Sequence, residues 1–396
     1  MAGDRDRPFL IAGGGIGGLA CAIALARSGV SVQILERAET FSEVGAGIQL
    51  GPNATRILES LGIGDMLKET AVTPEFLKIR DGETGKLLAA MPLGEEMHRR
   101  YGAPYCTVHR ADLQSALLSA AREHSSVAIS NGFEVARLEE HADAITVHSA
   151  NGDEAEGAAL IGADGVFSTL RRLMGLDLPP KASGKTAWRT LLDMKGLADP
   201  FDAHDVGLWL APKAHLVHYP VRGGKALNVV AVIDGDWEHE GWNAEGDPNE
   251  LLTHFDRWAA QPLALLRQAA AWRKWALVDL PPLERWHSGR TVLLGDAAHP
   301  VLPFLAQGGA LAIEDAAALA HAHEQSNWHP EKAFDDYQAM RQARSQRVQC
   351  QSKRMGAVYH MRGVPRWSRD LTLWASPPAM LLKRFDWLYG ARVAPH

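Results

Sequence analysis

Cysteine is scarce in this sequence, with only three residues in a chain of 396. Cys21, Cys106 and Cys350 are odd in number and far apart, and no two of them form a Cys-x-x-Cys pair. A disulfide framework needs an even set of cysteines, and cysteine-based zinc sites need close pairs. We therefore expect buried thiols and a reducing compartment, the cytoplasm, and we predict no metal site.

Long apolar runs and an excess of positive charge are absent as well. No segment reaches the roughly 18–20 apolar residues that span a membrane, and the apolar run at Phe9 meets glycines too soon for a signal peptide. The net charge of −6 argues against a nucleic-acid binder, whose affinity comes from neutralising phosphates. The sequence predicts a cytoplasmic protein with no nucleic-acid partner and no membrane partner.

Acidic residues are few in residues 341–396, where eleven Lys and Arg accompany only Asp370 and Asp386. A basic stripe can contact a membrane or an acidic partner, but it is more often the solvated face of a long helix. We favour the solvated face, with a subunit contact in a homodimer as the alternative.

Tryptophan is missing before Trp188, and all twelve copies lie at or beyond it. The earlier part alternates buried strands with helices, one of them expected to begin at Asp112, whereas residues 185–280 alternate short strands with turns and long helices are expected from Pro330. A chain of this length can form two domains. We predict an α/β fold in which a Rossmann-like nucleotide domain (1–72, 105–184 and 281–328) is interleaved with a β-sheet substrate domain (73–104 and 185–280), followed by C-terminal helices (329–396).

Glycine is concentrated near the start, at five of the six positions from Gly13 to Gly18. The pattern Gly-x-Gly-x-x-Gly is formed by Gly13, Gly15 and Gly18, between a predicted strand and a predicted helix. These glycines would allow a tight turn, close approach of a pyrophosphate, and close packing of helix on strand. Glu36 closes the next predicted strand, where an acid can bind a ribose diol. A plain turn with a surface glutamate is the alternative, and the full context favours a dinucleotide.

Two later segments also place polar groups at strand ends. In "LIGADGVFSTLRR", Asp164 follows a strand and precedes a helix; taken alone, a helix-capping turn is the favoured interpretation. In "VLLGDAAHPVLPFLAQGGALAIEDA", Asp296 ends a strand and can bind a ribitol or ribose hydroxyl, and Pro303 helps to stiffen the loop. The backbone N–H groups of Gln307, Gly308 and Gly309 open the next helix, where they would stabilise the negative charge of a reduced flavin.

These three segments, in this order and at these separations, resemble the FAD-dependent aromatic hydroxylases, the single-component flavoprotein monooxygenases of the salicylate, 3-hydroxybenzoate and 6-hydroxynicotinate hydroxylase type. "GAGIQLGPNA" from Gly45 and "HRADL" from His109 resemble that family's segments beside the flavin. The resemblance extends through nearly the whole chain. It implies an FAD site and contact of Asp164 with FAD and with the path of the nicotinamide cofactor. The predicted cofactor-binding residues are Gly13, Gly15, Ile16, Gly17, Gly18, Glu36, Arg37, Gln49, Arg110, Asp164, Asp296, Gln307, Gly308 and Gly309.

Only one glycine fingerprint is present, so the sequence offers no second domain for NADH or NADPH. The resemblance implies that the nicotinamide cofactor binds transiently and reduces FAD, and that O2 then forms a flavin C4a-hydroperoxide that oxygenates a small aromatic substrate. The function predicted is hydroxylation of a phenolic or hydroxy-heteroaromatic acid. The alternatives are the same fold acting on another substrate class, by epoxidation or polycyclic hydroxylation, and a flavin-binding redox protein without oxygen transfer.

Candidate catalytic residues lie in "HLVHYPV". In a strand, His215 and Tyr219 share one face while His218 points to the other. The resemblance implies that such a pair faces the substrate, so we predict His215 as the base and Tyr219 as a ligand of the substrate hydroxyl, and we place Pro303 with them. For His299, substrate orientation and loop packing remain equal alternatives. Arg189 invites pairing with a substrate carboxylate, but a structural arginine in the sheet is the favoured interpretation, and we leave it outside the predicted site.

Overall fold

The computed structural model describes residues 7–41, 46–176, 178–195, 197, 204–326 and 329–393, so Gly45 of the predicted flavin segment lies outside the described residues. The strands are β1 Phe9–Ala12, β2 Val32–Glu36, β3 Gly47–Leu50, β4 Phe76–Asp81, β5 Leu87–Pro92, β6 Cys106–His109, β7 Val127–Asn131, β8 Val135–Glu140, β9 Ile145–Ser149, β10 Glu154–Gly157, β11 Ala159–Gly162, β12 Lys181–Asp193, β13 Asp205–Ala211, β14 Ala214–Val221, β15 Ala226–Asp234, β16 Asn243–Gly246, β17 Trp272–Asp279, β18 His287–Ser288 and β19 Thr291–Leu293. The helices are α1 Ile16–Arg27, α2 Pro52–Ser60, α3 Gly64–Leu67, α4 Gly94–Tyr101, α5 Arg110–Glu123, α6 Thr169–Leu173, α7 Pro248–Thr253, α8 Ala260–Gln268, α9 Gly308–Gln325, α10 Pro330–Tyr359, α11 Gly363–Ala375, α12 Pro378–Lys383 and α13 Asp386–Tyr389.

A largely parallel sheet carries the glycine loop. Its strand order is β18-β19-β11-β1-β2-β7, and only the edge strand β18 runs antiparallel to its neighbour. Strands β1 and β11 are buried at every position, as expected for the centre of a sheet covered on both faces. Helix α1 connects β1 to β2 and packs against α9 and α5, so its small and apolar residues are buried on nearly all sides. The predicted α/β fold is confirmed.

A second, mostly antiparallel sheet has the order β16-β17-β12-β15-β14-β13-β4-β5. It combines β4 and β5 from the early chain with strands from residues 181–279, so the chain leaves the parallel sheet and returns to it at β19. Strand β12 crosses the boundary predicted at residue 184, with a register shift between Ala182 and Thr186. One face of this sheet packs on a cluster containing the buried Trp188, Trp209 and Trp272. Its other face turns toward α9, α10 and β3.

Three details differ from or refine the sequence predictions. Helix α5 begins at Arg110 rather than Asp112, because His109 already provides the extended residue at the helix start. Cys21 and Cys106 are buried, but Cys350 is exposed on α10, so the prediction of buried thiols holds for two of the three. Within the described ranges, every helix is too short or too polar to cross a membrane.

Candidate active site

The glycine loop between β1 and α1 is built for close approach. Gly13 has a φ of 105°, and a Cβ there would lie 2.5 Å from the carbonyl oxygen of Ala163. A Cβ on Gly18 would overlap the carbonyl oxygen of Gly13. At Gly15, by contrast, a Cβ would meet no atom of the described residues within 4 Å. One side of the loop therefore packs against the end of β11. On its other side, the first backbone N–H groups of α1 are not covered by side chains, and Ile16 and Gly17 form the first turn of that helix.

Glu36, at the end of β2, holds this loop in place. Its Oε2 accepts a hydrogen bond of 2.7 Å from the Gly14 N–H, and its Oε1 accepts one of 2.9 Å from the Ala38 N–H. The side chain is half-buried, and the neighbouring Arg37 is exposed. Glu36 therefore positions the loop in addition to any contact with a ribose.

The turn after β11 lies beside the glycine loop. The Oδ2 of Asp164 accepts a 3.0 Å hydrogen bond from the Leu170 N–H, and Ser168 Oγ accepts one of 2.9 Å from the Arg171 N–H. These bonds are the capping interactions expected of such a turn. The Asp164 Oδ1, however, is buried without a hydrogen-bond partner in the part of the chain that the structure describes. Arg171 donates to Val166 O and Ala297 O, which joins this turn to the Asp296 loop.

Asp296 and the start of α9 form the next part of the site. The Asp296 side chain is exposed, yet desolvation by the surrounding protein raises the pKa of its carboxyl, with His299 and Arg110 acting in the opposite direction. A side chain that is accessible to solvent but surrounded by many protein atoms lies in a cleft. A Cβ on Gly308 would lie 3.9 Å from Asp296 Oδ1, so this cleft reaches the N-terminus of α9.

A buried ionic network, which the sequence did not reveal, supports that helix N-terminus. The Asn53 amide donates to Gln307 Oε1 at 3.0 Å and to Glu314 Oε1 at 2.6 Å. Arg341, from α10, contacts Glu314 Oε2 at 2.6 Å and Asp315 Oδ1 at 2.7 Å. The Glu-Asp pair in "IEDA" was a usable signal, since adjacent acids in an apolar helix need partners if they are buried.

His299 belongs to this network. Its Nε2 lies 2.6 Å from Asp315 Oδ2, which also accepts a 3.0 Å hydrogen bond from the Gly295 N–H. The ring is buried against Trp286. This arrangement favours loop packing over substrate orientation for His299.

Tyr219 lies where β3 meets the second sheet. Burial raises the pKa of its hydroxyl to about 12, while Arg189, Gln49, Arg110 and Asn228 oppose that rise. Asn228 Oδ1 also accepts a 2.6 Å hydrogen bond from the Gly47 N–H. A Cβ on Gly47 would lie 2.5 Å from the Tyr219 ring, so only glycine permits this contact between β3 and β14.

His215 shares the Tyr219 face of β14, and His218 points to the opposite face, where it lies near Trp209. The His215 ring is buried between Phe304 and Tyr359, at centroid distances of 5.6 and 5.1 Å. Pro303, which begins the 3₁₀ turn that carries Phe304, is exposed. The structure thus brings the three predicted catalytic residues to one face of the sheet and the loop opposite it.

Arg189, which the sequence interpretation left outside the site, lies on the same face of the second sheet as His215 and Tyr219. The register puts Arg189 beside Val230 and Val217, midway along the strand between the levels of His215 and Tyr219 and on the same face. Its guanidinium lies 5.2 Å from the Trp275 ring, and burial lowers its pKa. No carboxylate of the described residues forms an ion pair with it, and its Nε is buried without a hydrogen bond. The alternation of side chains along β12 indicates which residues share a face with Arg189. It does not show that this face also carries His215 and Tyr219, because that depends on the strand order.

Comparison with known proteins agrees with this geometry. The sequence profile of a family described as "FAD binding domain" matches residues 6–352. A 3-hydroxybenzoate 6-hydroxylase of Polaromonas naphthalenivorans is 38% identical over 98% of this chain and 97% of its own length. This chain belongs to the FAD-dependent aromatic hydroxylases. It is likewise 36% identical to a 6-hydroxynicotinate 3-monooxygenase of Pseudomonas fluorescens, over 86% of this chain and 88% of that protein.

Among solved structures, HpxO of Klebsiella pneumoniae, complexed with FAD and uric acid, superimposes with a TM-score of 0.84 at 25% identity and covers 95% of each chain. The hydroxylase described here has residues that fit FAD. The bare backbone at Gly15, the unpartnered Oδ1 of Asp164 and the desolvated but accessible Asp296 are features that phosphate, ribose and ribitol groups would satisfy. The protein is an FAD-dependent monooxygenase.

Proposed function

We propose that this monooxygenase hydroxylates a phenolic or hydroxy-heteroaromatic carboxylic acid, with NADH or NADPH as reductant and O2 as the oxygen source. When bound, FAD supplies the activation of O2 after its reduction by the nicotinamide cofactor. The named activities of the relatives act on hydroxybenzoate and hydroxynicotinate rings, which share an aromatic ring, a hydroxyl and a carboxylate. The site needs one group for each of the last two.

For FAD, we propose that the helix dipole of α1 and the loop from Gly13 to Gly18 hold the pyrophosphate, and that Glu36 and Arg37 lie at the adenosine ribose. Asp296 would bind the ribitol chain. The N-terminus of α9, formed by Gln307, Gly308 and Gly309, would face the pyrimidine end of the ring, since its N–H groups stabilise negative charge there. Gln49, Arg110 and Asp164 complete the proposed contacts.

The substrate carboxylate is the proposed partner of Arg189, and this unpaired guanidinium is the observation that carries the substrate class. A desolvated arginine without an acid is costly, and a bidentate carboxylate satisfies it with two charge-assisted hydrogen bonds. Arg189 is two strands away from β14, roughly 10 Å at ordinary strand spacing. Two side chains reaching inward from that separation leave room for one aromatic ring between them.

The ring hydroxyl would face β14, where His215 and Tyr219 provide the base and the hydrogen-bonding partner. Burial, and after it His360 and Lys185, lower the pKa of His215 well below its usual value. The imidazole is therefore neutral and has a lone pair that can accept a proton. Deprotonation makes the ring a stronger nucleophile toward an electrophilic oxygen. Pro303 and Phe304 close the opposite side and exclude water.

The test is a panel of hydroxybenzoates and hydroxynicotinates with the FAD-loaded enzyme. A substrate should stimulate NAD(P)H oxidation, and product should contain one atom of label from ¹⁸O2. Stimulated oxidation that yields only hydrogen peroxide with every acid would point instead to a flavin redox protein and would reject the hydroxylase function.

Arg189→Gln tests the carboxylate contact. Charge-assisted hydrogen bonds are worth about 1.5–3 kcal/mol, so KM should rise roughly 10- to 150-fold, with a smaller change in kcat. Arg267→Gln, on an exposed position of α8, is the matched control and should leave KM unchanged. A KM for the Arg189 variant within twofold of wild type would remove Arg189 from substrate binding.

A further inference from the structure

His215 is the first member of a hydrogen-bonded chain that leads away from the pocket. Its Nδ1 lies 2.8 Å from Nε2 of His360, and the Nδ1 of His360 lies 2.6 Å from Oδ1 of Asp234. Lys185 forms an ion pair with the same Asp234 oxygen, and its Nζ is 2.9 Å from the Nδ1 of His360. Both nitrogens of His360 are thus engaged, whereas His215 uses only Nδ1 in this hydrogen-bonded chain, which leaves Nε2 for the proposed contact with the substrate hydroxyl.

Solvent exposure of the side chains increases along this hydrogen-bonded series, from His215 to Asp234. His215 is 3% exposed and the His360 side chain 4%, whereas the side chains of Lys185 and Asp234 are 19% and 33% exposed. The chain therefore begins at a residue with almost no access to water and ends at a carboxylate in contact with it. A base as deeply buried as His215 needs such a path, since a proton taken from the substrate cannot otherwise leave a closed pocket.

The fold holds each member in place. Lys185 and Asp234 are direct cross-strand partners on β12 and β15. His360 directly follows α10, and Arg369 from α11 donates to Val358 O and Tyr359 O at 2.9 Å each, which fixes the last turn before it. Four separate parts of the sequence, β12, β14, β15 and the end of α10, thus bring these four side chains together.

We propose that His360, Asp234 and Lys185 form a proton relay that connects the base His215 to solvent. This inference rests on the proposed function, in which His215 accepts the hydroxyl proton of the substrate. His360, Asp234 and Lys185 do not touch the substrate; they are positioning residues that act through His215.

The proton movements balance at every step. The substrate O–H bond breaks as a proton joins Nε2 of His215, the Nδ1 proton of His215 passes to Nε2 of His360, and the Nδ1 proton of His360 passes to Asp234. Asp234 then releases a proton to water. His360 Nδ1, now without its proton, accepts a hydrogen bond from the Lys185 ammonium, and the reverse sequence returns a proton to the product oxygen.

The charges around the relay suit this role. Burial and then the neighbouring charges lower the pKa of His215, and burial lowers that of His360 although Asp234 opposes it, so both rings are neutral in the resting state. His360 and Lys185 hold the pKa of Asp234 at about 2 against the effect of burial, which keeps it an acceptor. Tyr359 and Arg369 are the other titratable groups that face these rings.

The relay is tested with 3-hydroxy-4-nitrobenzoate, whose phenolate absorbs visible light, bound at saturation to the FAD-loaded enzyme without reductant. A stopped-flow jump from pH 5.5 to pH 8 should ionise the bound probe rapidly in the wild type. His360→Gln and Asp234→Asn should slow ionisation at least tenfold and leave probe affinity within twofold. His360→Ala should regain speed in imidazole buffer but not in phosphate buffer, which a purely structural role of His360 would not produce.

Asp279→Asn is the control, because Asp279 pairs with Lys353 at the surface away from His215; its ionisation rate should equal that of wild type. Wild-type rates in both His360→Gln and Asp234→Asn, with a slow His215→Asn, would overturn the relay and leave His215 as the base. A fast His215→Asn, or no probe binding to the wild type, would overturn the proposed function and the relay with it. Melting temperature and FAD affinity are measured for every variant to identify any that is misfolded. If His360→Gln or Asp234→Asn is misfolded, the imidazole rescue of His360→Ala decides whether the relay exists.

Discussion

Replacement of Arg341 by Met removes the cation at the centre of the buried network behind α9. The Arg341 side chain is 3% exposed, and those of Glu314 and Asp315 are 2% and 0% exposed. Burial alone would raise the pKa of Asp315, but His299 and Arg341 hold it below its usual value, so the carboxylate is charged in the folded protein. Without Arg341, that charge loses one of its two main partners and keeps His299 and the Gly295 N–H.

The magnitude follows from the remaining contacts. Removing one partner of a buried ion pair costs about 3–5 kcal/mol. Glu314 keeps two hydrogen bonds from Arg344, at 2.7 and 2.6 Å, so Asp315 is the carboxylate that loses most stabilisation. We therefore expect a loss of about 3 kcal/mol in the free energy of unfolding. At roughly 2 °C per kcal/mol for a large chain, the melting temperature should fall by about 6 °C.

The assay is thermal unfolding at fixed protein and FAD concentrations, because bound FAD itself adds stability. Arg344→Met is the comparison variant. Glu314 retains Arg341 there and Arg344 is 16% exposed, so its loss should cost less than the loss of Arg341, even though its hydrogen bonds to Trp387 O and Leu388 O are also removed. The double variant Arg341→Met with Asp315→Asn should recover at least 1 kcal/mol, since the stranded charge is gone. An Arg341 variant as stable as the Arg344 variant, or a double variant that is less stable than Arg341→Met, would refute the assignment of this network.

Two further predictions concern the glycine loop and the buried histidines. Gly15 has a φ of −72°, which alanine can adopt, and a Cβ there meets no described atom within 4 Å. Gly15→Ala should therefore leave the melting temperature without FAD unchanged, while FAD affinity, measured by flavin fluorescence, should fall at least tenfold. An unchanged affinity would show that the phosphates bind elsewhere. Burial lowers the pKa of His218 to about 3 and of His323 to about 4, so both stay neutral when folded but bind protons when unfolded below about pH 6.5. Stability should therefore fall as pH drops from 6.5 toward 4, by about 1.4 kcal/mol per histidine at pH 5.5, and a urea midpoint that is equal or higher at pH 5.5 than at pH 7.5 would contradict this.

Features determined by neighbouring residues in the chain were predictable. The buried run at Phe9, the glycines after it and the helical spacing beyond them place β1 and α1 correctly, and Glu36 ends β2 as expected. Strand alternation places His215 and Tyr219 on one face without knowledge of the sheet. Each of these inferences needs only the local periodicity of a strand or helix.

Features determined by strand order and remote partners were not predictable. Nothing in the sequence of β12 shows that β14 lies two strands away, so the position of Arg189 on the face of His215 and Tyr219 could not be predicted. His360 meets His215 across 145 positions of the chain. Hydrogen bonds of this kind depend on tertiary packing, which one sequence without its relatives does not encode in any local pattern.

Helix α10 links the C-terminal part of the chain to both halves of the proposed active site. Its 30 residues extend about 45 Å. Near its middle, Arg341 and Arg344 neutralise the acids behind the proposed flavin end of α9. At its end, Tyr359 packs on His215 and His360 continues the chain to Asp234. Because one helix supports both the proposed cofactor helix and the proposed base, we expect a displacement of α10 to change the position of FAD relative to the substrate hydroxyl.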